Sequence, residues 1–421
     1  MKTKLTTLLM LSAVFMMAVL FQACGTDSGP EDLNIESMTV GGQDLNAAES
    51  PEDVPADASI EVTFSSNVQA ATATSANIML VQDYNDEQIP LDISVSGATI
   101  TITPQENLGS GALYQLTLSS GLLNEDDQPL ANTTRSFSTA GTFAPAGMVA
   151  NWTFEDTADD VVGTYSPSAS GVVAITYTDS RNDAAGMAAT FDGDASIIEI
   201  PNGDQLIDTE EFTMSFWLKT NSTNHVNENG DPAGHFVFGL AAFHGIQMEI
   251  PANYSQFAIP NAVRLSDGTV TGAGNMNWNG DGITGQTGGY VAITVSDEED
   301  VPALIKDKWT HVTIIVDGPN KSRSLYVNGQ LRMHHDFTLL DADSPLQNMT
   351  GMAYNGSEPD VYPELAFGFI QSRQGTMWDN EPWGGYDFPT ANHFKGQLDD
   401  IKIYHKALTE TEIQLMYDSE S

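Results

Sequence analysis

The chain has 421 residues, 41% of them hydrophobic, enough to bury two or three separate cores. Its 57 Asp and Glu against 15 Lys and Arg give a formal net charge of −42, which repels nucleic acid and bare anionic polymers and excludes them as partners. The single cysteine, Cys24, excludes an internal disulfide.

The N-terminus accounts for that cysteine. Lys2 and Lys4 precede an apolar run from Leu5 to Leu20 that is short for a spanning helix and fits a secretory signal. Phe21-Gln22-Ala23-Cys24 follows, with a small residue just before the cysteine. This resembles the bacterial lipobox. The resemblance implies a signal peptide over residues 1–23 and an acylated Cys24 as the first mature residue. Several acyl chains on one cysteine anchor a protein stably to a membrane, where one chain is marginal. Residues 24–33 form a short acidic tether. Acids soon after the cysteine resemble the surface-export signal of Bacteroidetes lipoproteins, which implies an outer-membrane protein facing the cell exterior.

From residue 34 to 140 the apolar period is two. Ile60, Val62 and Phe64 alternate with Ser59, Glu61 and Thr63; Ile100 and Ile102 with Thr99, Thr101 and Thr103; Tyr114, Leu116 and Leu118 with Gln115 and Thr117. Short β-rich runs bounded by Gly, Pro, Asn and Asp predict an antiparallel sandwich. The segment Glu52 to Ser65, then Gly111 to Leu118 and Ser136 to Thr139, resembles bacterial Ig-like domains. That resemblance implies a spacer, and the segment holds no His, Cys or Trp with which to do chemistry. Residues 141–147 read as a linker.

Residues 148–421 are again β-patterned. Phe212, Met214, Phe216 and Leu218 alternate with Thr213, Ser215 and Trp217, and Val312, Ile314 and Val316 with Thr313 and Ile315, which are expected to be partly buried on a second face; Asn328-Gly329 marks a hairpin. Thr409 with Glu412 is a capping box, predicting one short C-terminal helix. Phe191-Asp192-Gly193, Phe212 to Lys219, Trp309 to Ile314, Leu325 to Gly329 and Phe394 to Tyr404 resemble the laminin-G-like, concanavalin A-like jelly roll. The predicted fold class is therefore all-β: an Ig-like β-sandwich followed by a jelly roll.

By strand parity Asp399 shares a face with Ile401 and Ile403, where an unpaired carboxylate is costly. In the resembling family an aspartate at this position helps hold a structural calcium. Carried over, the metal ligands are Asp399, Glu155 (or Asp156), Asp192 and the Gly193 carbonyl, with Ca2+ joining the two ends of the domain.

Catalytic signals are missing. No assigned strand carries the spaced carboxylates of a glycanase, no histidine pair has metal-ligand spacing, and no nucleophile elbow or phosphate loop occurs. Two long connections stand out instead, Asn221 to Asp307 and Asp341 to His393. The first contains strand-like pieces at His235 to Phe243 and Gly289 to Val295, with a Gly/Asn-rich stretch around Trp278 between them. The second holds Trp378, Trp383 and Tyr386 interleaved with Arg373, Asn380 and Glu381. Flat rings face the C–H side of a sugar while carboxamide and guanidinium groups bond its hydroxyls. The predicted ligand is a polysaccharide or oligosaccharide held without cleavage by Trp378, Trp383, Tyr386, Trp278, Asn380 and Arg373. The chain thus resembles accessory lipoproteins of Bacteroidetes carbohydrate-uptake systems, which implies an outer-membrane uptake complex as partner. The alternatives are an adhesion module that binds protein and a divergent glycoside hydrolase or lyase.

Overall fold

The computed structural model describes residues 30–281, 292–293 and 298–421. Cys24 and most of the predicted Gly289–Val295 strand lie outside the described residues. The chain divides between Gly141 and Thr142 into two compact units.

In the first unit the strands of both sheets pair antiparallel, and two isolated bridges, Leu33 with Leu130 and Val54 with Thr139, are parallel. One sheet runs in the order Gln43–Asp44, Ile35–Val40, Ile60–Phe64, Thr99–Pro104, Leu91–Ser96, and the other in the order Ile78–Gln82, Leu113–Leu118, Thr133–Ser138. The alternation seen in the sequence decides which side faces in. Ile60, Val62, Phe64, Ile100, Ile102, Tyr114, Leu116 and Leu118 are all buried, and Glu61 on the opposite face is exposed.

The second unit is a larger two-sheet sandwich of the jelly-roll kind. Its first sheet orders Thr176–Asp179, Met187–Asp192, Lys395–Tyr404, Glu211–Thr220, Trp309–Asp317, Ser322–Val327, Gln330–Asp336 and Ala292–Ile293, with Met148–Trp152 also on Lys395–Tyr404. The second orders Val172–Val173, Ile197–Ile200, Leu365–Phe367, His235–Gly239, Gln247–Ile250, Phe257–Leu265 and Val270–Trp278, with Met349–Met352 on Phe257–Leu265. Aromatic rings from both sheets meet edge to face in the middle, Trp152 on Phe367 at 5.2 Å and Phe216 on Phe238 at 5.6 Å.

The Asn221–Asp307 connection is therefore no loop: four strands of the second sheet come from it. The first half of its Gly/Asn-rich stretch is the strand Val270–Trp278, in which Ala273, Met276 and Trp278 point inward and Asn275 and Asn277 outward, and residues 282–289 of that stretch lie outside the described residues. The C-terminal helix Glu410–Glu420 begins with the predicted capping box of Thr409 and Glu412. It is the longest of three α-helices among the described residues; Gly203–Ile207 and Val301–Ile305 are single turns.

Candidate functional site

After Phe367 the chain leaves the second sheet and crosses that sheet's outer face as a strap. Gly239 makes the crossing possible. It pairs with Ala366 on one side and Gln247 on the other, and a Cβ there would stand 2.0 Å from the Ile370 carbonyl oxygen. Glycine alone lets two backbones approach so closely. The strap is then pinned at Glu199. One carboxylate oxygen accepts from the Ser372 hydroxyl at 2.9 Å and the Arg373 amide at 2.8 Å. The other accepts from the Arg373 guanidinium at 2.6 and 3.1 Å. Burial would raise this carboxyl, but the Arg373 bonds outweigh it and hold Glu199 below its ordinary value.

Beyond Arg373 the strap lays its aromatic residues on an apolar patch of Ile197, Phe236, Ala366, Phe369, Ile370 and Ala391. A tight turn, with the Glu381 amide donating to the Trp378 carbonyl at 2.9 Å, brings Trp378 and Trp383 together. Their ring centroids are 5.5 Å apart and the planes inclined by 39°. Gly384 permits this, since a Cβ there would sit 2.5 Å from the Trp378 Cβ. Trp383 rests on Phe236 at 5.7 Å. Both indoles are half-buried, so each keeps part of its surface in water, and Asn380 between them is exposed.

The other predicted binding residues are occupied elsewhere. Trp278 is fully buried between the sheets, 5.7 Å from Phe257 and under the Arg332 guanidinium, so it forms part of the core and no platform. It is the last inward residue of a strand, which a loop reading could not show. Arg373 is taken up by Glu199 and the Ser170 carbonyl. Tyr386 donates its hydroxyl to the Ala195 carbonyl at 2.5 Å and packs edge-on against Phe369 and His393. Burial pushes that phenol up to about 12, the state of a fixed donor.

The expected calcium ligands do not fit one ion. Asp192 is opposite Lys395, whereas Asp399 is four residues further along the same strand, roughly 13 Å at strand spacing. Asp192 spends one oxygen on the amides of Asp194, Ala195 and Ser196, which with the Ser196 hydroxyl bond outweigh burial and lower its carboxyl. Glu155 stands at the Asp399 end but accepts from the Met187 amide. The parity argument also fails. Asp400 takes a left-handed φ of 46°, and the register against Glu211–Thr220 shifts there, so a β-bulge turns Asp399 to the outer face beside Trp217. Its countercharge is Arg181, whose guanidinium reaches Asp399 at 2.7 Å and Asp400 at 2.6 Å and stacks over Trp217 at 4.7 Å. Gly193 lies on the far turn with Asp192. Among the described residues no group of three or more His, Cys, Asp or Glu is placed to hold a metal.

Sequence reasoning passed over the polar residues of the same outer face, of which Asn275 and Asn277 are exposed and Gln247 is buried. Glu249, Asn275 and Asn277 stand there beside the strap, and Gln247 lies among them. The signal was the alternation Ala273, Asn275, Met276, Asn277, Trp278, masked by the glycines around it.

Residues 43–139 match the model of the bacterial Ig-like domain. Within the first unit, residues 43–139 form an Ig-like domain. No curated protein matches the chain, and several solved structures align with about two thirds of it. The binding domain of Paraclostridial Mosquitocidal Protein 1 aligns over 65% of this chain and 52% of its own, at 15% identity and a TM-score of 0.39. Domain 4 of an extracellular arabinanase from Geobacillus stearothermophilus, solved with arabinotriose, aligns over 64% of this chain and 98% of its own, at 18% identity and a TM-score of 0.37. The ligand-binding domain of botulinum neurotoxin serotype D, solved with N-acetylneuraminic acid, aligns over 65% and 50%, at 13% identity and a TM-score of 0.38. The chain thus spans about half the length of the first and third of these proteins.

Proposed function

We propose that this chain is a lipid-anchored protein of the bacterial outer membrane that holds carbohydrate without cleaving it. The Ig-like domain is its spacer, and the second unit, read as a laminin-G-like jelly roll, is its binding part. The observation that carries the reading is the Trp378–Trp383 pair, two partly buried indoles fixed 5.5 Å apart with an exposed Asn380 between them. A rigid aromatic pair with a carboxamide at its edge suits the C–H face and the hydroxyl rim of a sugar. If each ring gives about 1–1.5 kcal/mol and the polar bonds about as much again, Kd lies near the millimolar range. Such weak binding serves a surface protein present in many copies, through avidity.

Binding without cleavage is favoured by the carboxyls near the strap. A hydrolase needs two carboxyls roughly 5–10 Å apart, one of them free to move a proton. Glu199, the carboxyl that pins the strap, is neutralised by Arg373 and is not free to move a proton.

Affinity electrophoresis through gels cast with polysaccharides tests the reading. Retardation of the wild type and free migration of W378A/W383A are expected. A double variant still retarded as the wild type is, or appearance of reducing ends in the gel, would reject it.

A further inference from the structure

The outer face of the first sheet opens into a depression where the chain turns into its C-terminal helix. Strand register orders the side chains there in transverse rows. Glu211 is opposite Asp317, Asp317 opposite Ser322, and Ser322 opposite Asp336. One step along the strands, Ile315 is opposite Ser324 and Ser324 opposite His334; a further step brings Tyr326 opposite Leu331. The intervening Phe212, Ile314, Val316, Leu325 and Met333 lie in the core, so these rows point outward. Residues 407–410 wall one side. They are held there by the Thr213 hydroxyl, which donates to the Lys406 carbonyl at 2.6 Å and accepts from the Leu408 amide at 3.1 Å. The space enclosed is about 710 Å³, the size of a small-molecule site. It is open to solvent: Asn320, Thr409 and Glu410 on its rim are exposed, and Glu211, Leu331 and His334 are partly so.

The lining has two characters. Ile315, Leu331 and Leu408 make an apolar floor. Glu211, Asp317, Asp336 and Glu410 make an acidic rim, and among the described residues none of the four forms an ion pair. No Lys or Arg lines the space, and the nearby Lys406 ammonium is held by Glu412 at 2.7 Å. Burial, then the facing Asp317, raises the Glu211 carboxyl more than Lys406 lowers it. Burial also lowers His334 in spite of Asp336 and Asp317, so this ring adds no positive charge. Two hydroxyls enter the same space without a partner. Tyr326 is 7% exposed and Ser322 8%, and neither side chain makes a hydrogen bond among the described residues. Buried hydroxyls are nearly always satisfied, so these two call for a partner from outside the chain. A ligand that fits must therefore bring positive charge, N–H donors and an apolar stem together.

We propose that this depression is a binding site for an aliphatic polyamine. One ammonium group lies against Glu211 and Asp317, another against Asp336, and the methylenes between them rest on Ile315 and Leu331. The two ends are up to three strand spacings apart, roughly 14 Å, so a chain with charges at both ends spans what a single ion cannot. The ammonium groups donate charge-assisted bonds to the carboxylates, and the Tyr326 and Ser322 hydroxyls accept the N–H groups left over. An uncharged sugar would leave the carboxylates uncompensated. The site stands on the sheet opposite the strap and does not depend on the carbohydrate reading.

Isothermal titration of the whole protein with spermidine in physiological salt, which screens the general attraction of an acidic surface, tests the proposal. Hexaamminecobalt(III) serves as a cation of the same charge without methylenes. E211Q/D336N removes two charges from the rim, and E125Q/D126N removes two exposed charges from the Ig-like unit. Melting midpoints report folding. The expected result is saturable heat for the wild type, with Kd raised about tenfold or more in E211Q/D336N, about threefold in Y326F, and unchanged in E125Q/D126N. Wild-type affinity in E211Q/D336N, equal losses in the two double variants, or hexaamminecobalt(III) bound as tightly as spermidine overturns the site, as does an absence of saturable heat. If E211Q/D336N does not fold, Y326F decides, and wild-type affinity in that variant overturns the site.

Discussion

His311 and His335 are held neutral by their surroundings. Burial, then the Lys402 and Arg181 charges, brings His311 down to about 3. Burial, then the Arg323 guanidinium that donates to its Nδ1 at 3.0 Å, brings His335 down to about 2. An unfolded histidine titrates near 6.5, so below that pH the unfolded chain binds protons that the folded chain refuses. Stability is therefore complete above about pH 6.5 and falls as pH drops toward 3, by about 1.4 kcal/mol per pH unit for each histidine. Urea unfolding between pH 7 and pH 4 measures this slope, and H311Q should lessen it. An equal slope in H311Q would show that the acid loss arises elsewhere. Arg181 is the other residue on which much depends. Its salt bridge with Asp399 is buried on both sides, with side-chain exposures of 5% and 0%. R181A should cost about 3–5 kcal/mol. Calcium and chelator should give the same melting midpoint, whereas a midpoint raised by calcium would restore a metal that the carboxylates do not converge on. The sequence showed that Asp399 needed a countercharge but not which one, because parity breaks at a bulge that no residue type announces.

At the level of elements, one residue apiece tests what holds the strap and the C-terminal helix. Gly239→Val would push a side chain into the Ile370 carbonyl and lift the strap from the sheet. The expected outcome is a red-shifted tryptophan emission and lost polysaccharide retardation, at an overpacking cost of about 1–3 kcal/mol. Unchanged emission and retardation would mean that the strap does not position the indoles. The helix is latched by Glu420, which accepts from the Trp217 indole and from Lys402, both at 2.7 Å. E420A leaves Lys402 buried with only Asp400 at 3.7 Å and should cost about 3–5 kcal/mol in urea unfolding. The elements that carry a clean period were legible: the Ig-like strands, Glu211–Thr220, Trp309–Asp317 and the capped helix. The second sheet was legible only in part, at His235–Gly239. Its strands Gln247–Ile250 and Val270–Trp278 are short or glycine-rich, and their outward residues are polar for a reason that only the neighbouring strands reveal. The Trp378–Trp383 segment was legible as aromatic and polar; that half of each ring is consumed in pinning the strap required its contacts.

For the whole molecule, the chain divides between Gly141 and Thr142 into two units, and the indoles proposed to bind sugar lie in the second. Calorimetry should show two transitions, and W378A/W383A should leave the one belonging to the Ig-like unit where it was. Cys24→Ser should move the protein from the membrane fraction to the soluble one without touching either transition. The central claim is that Trp378 and Trp383 are the surface on which a sugar chain lies. Isothermal titration of the full chain with an oligosaccharide cut from whichever polysaccharide retards it tests this most directly. The account predicts saturable heat for the wild type with Kd near the millimolar range and no measurable heat for W378A/W383A. Equal titrations of the two proteins would contradict it.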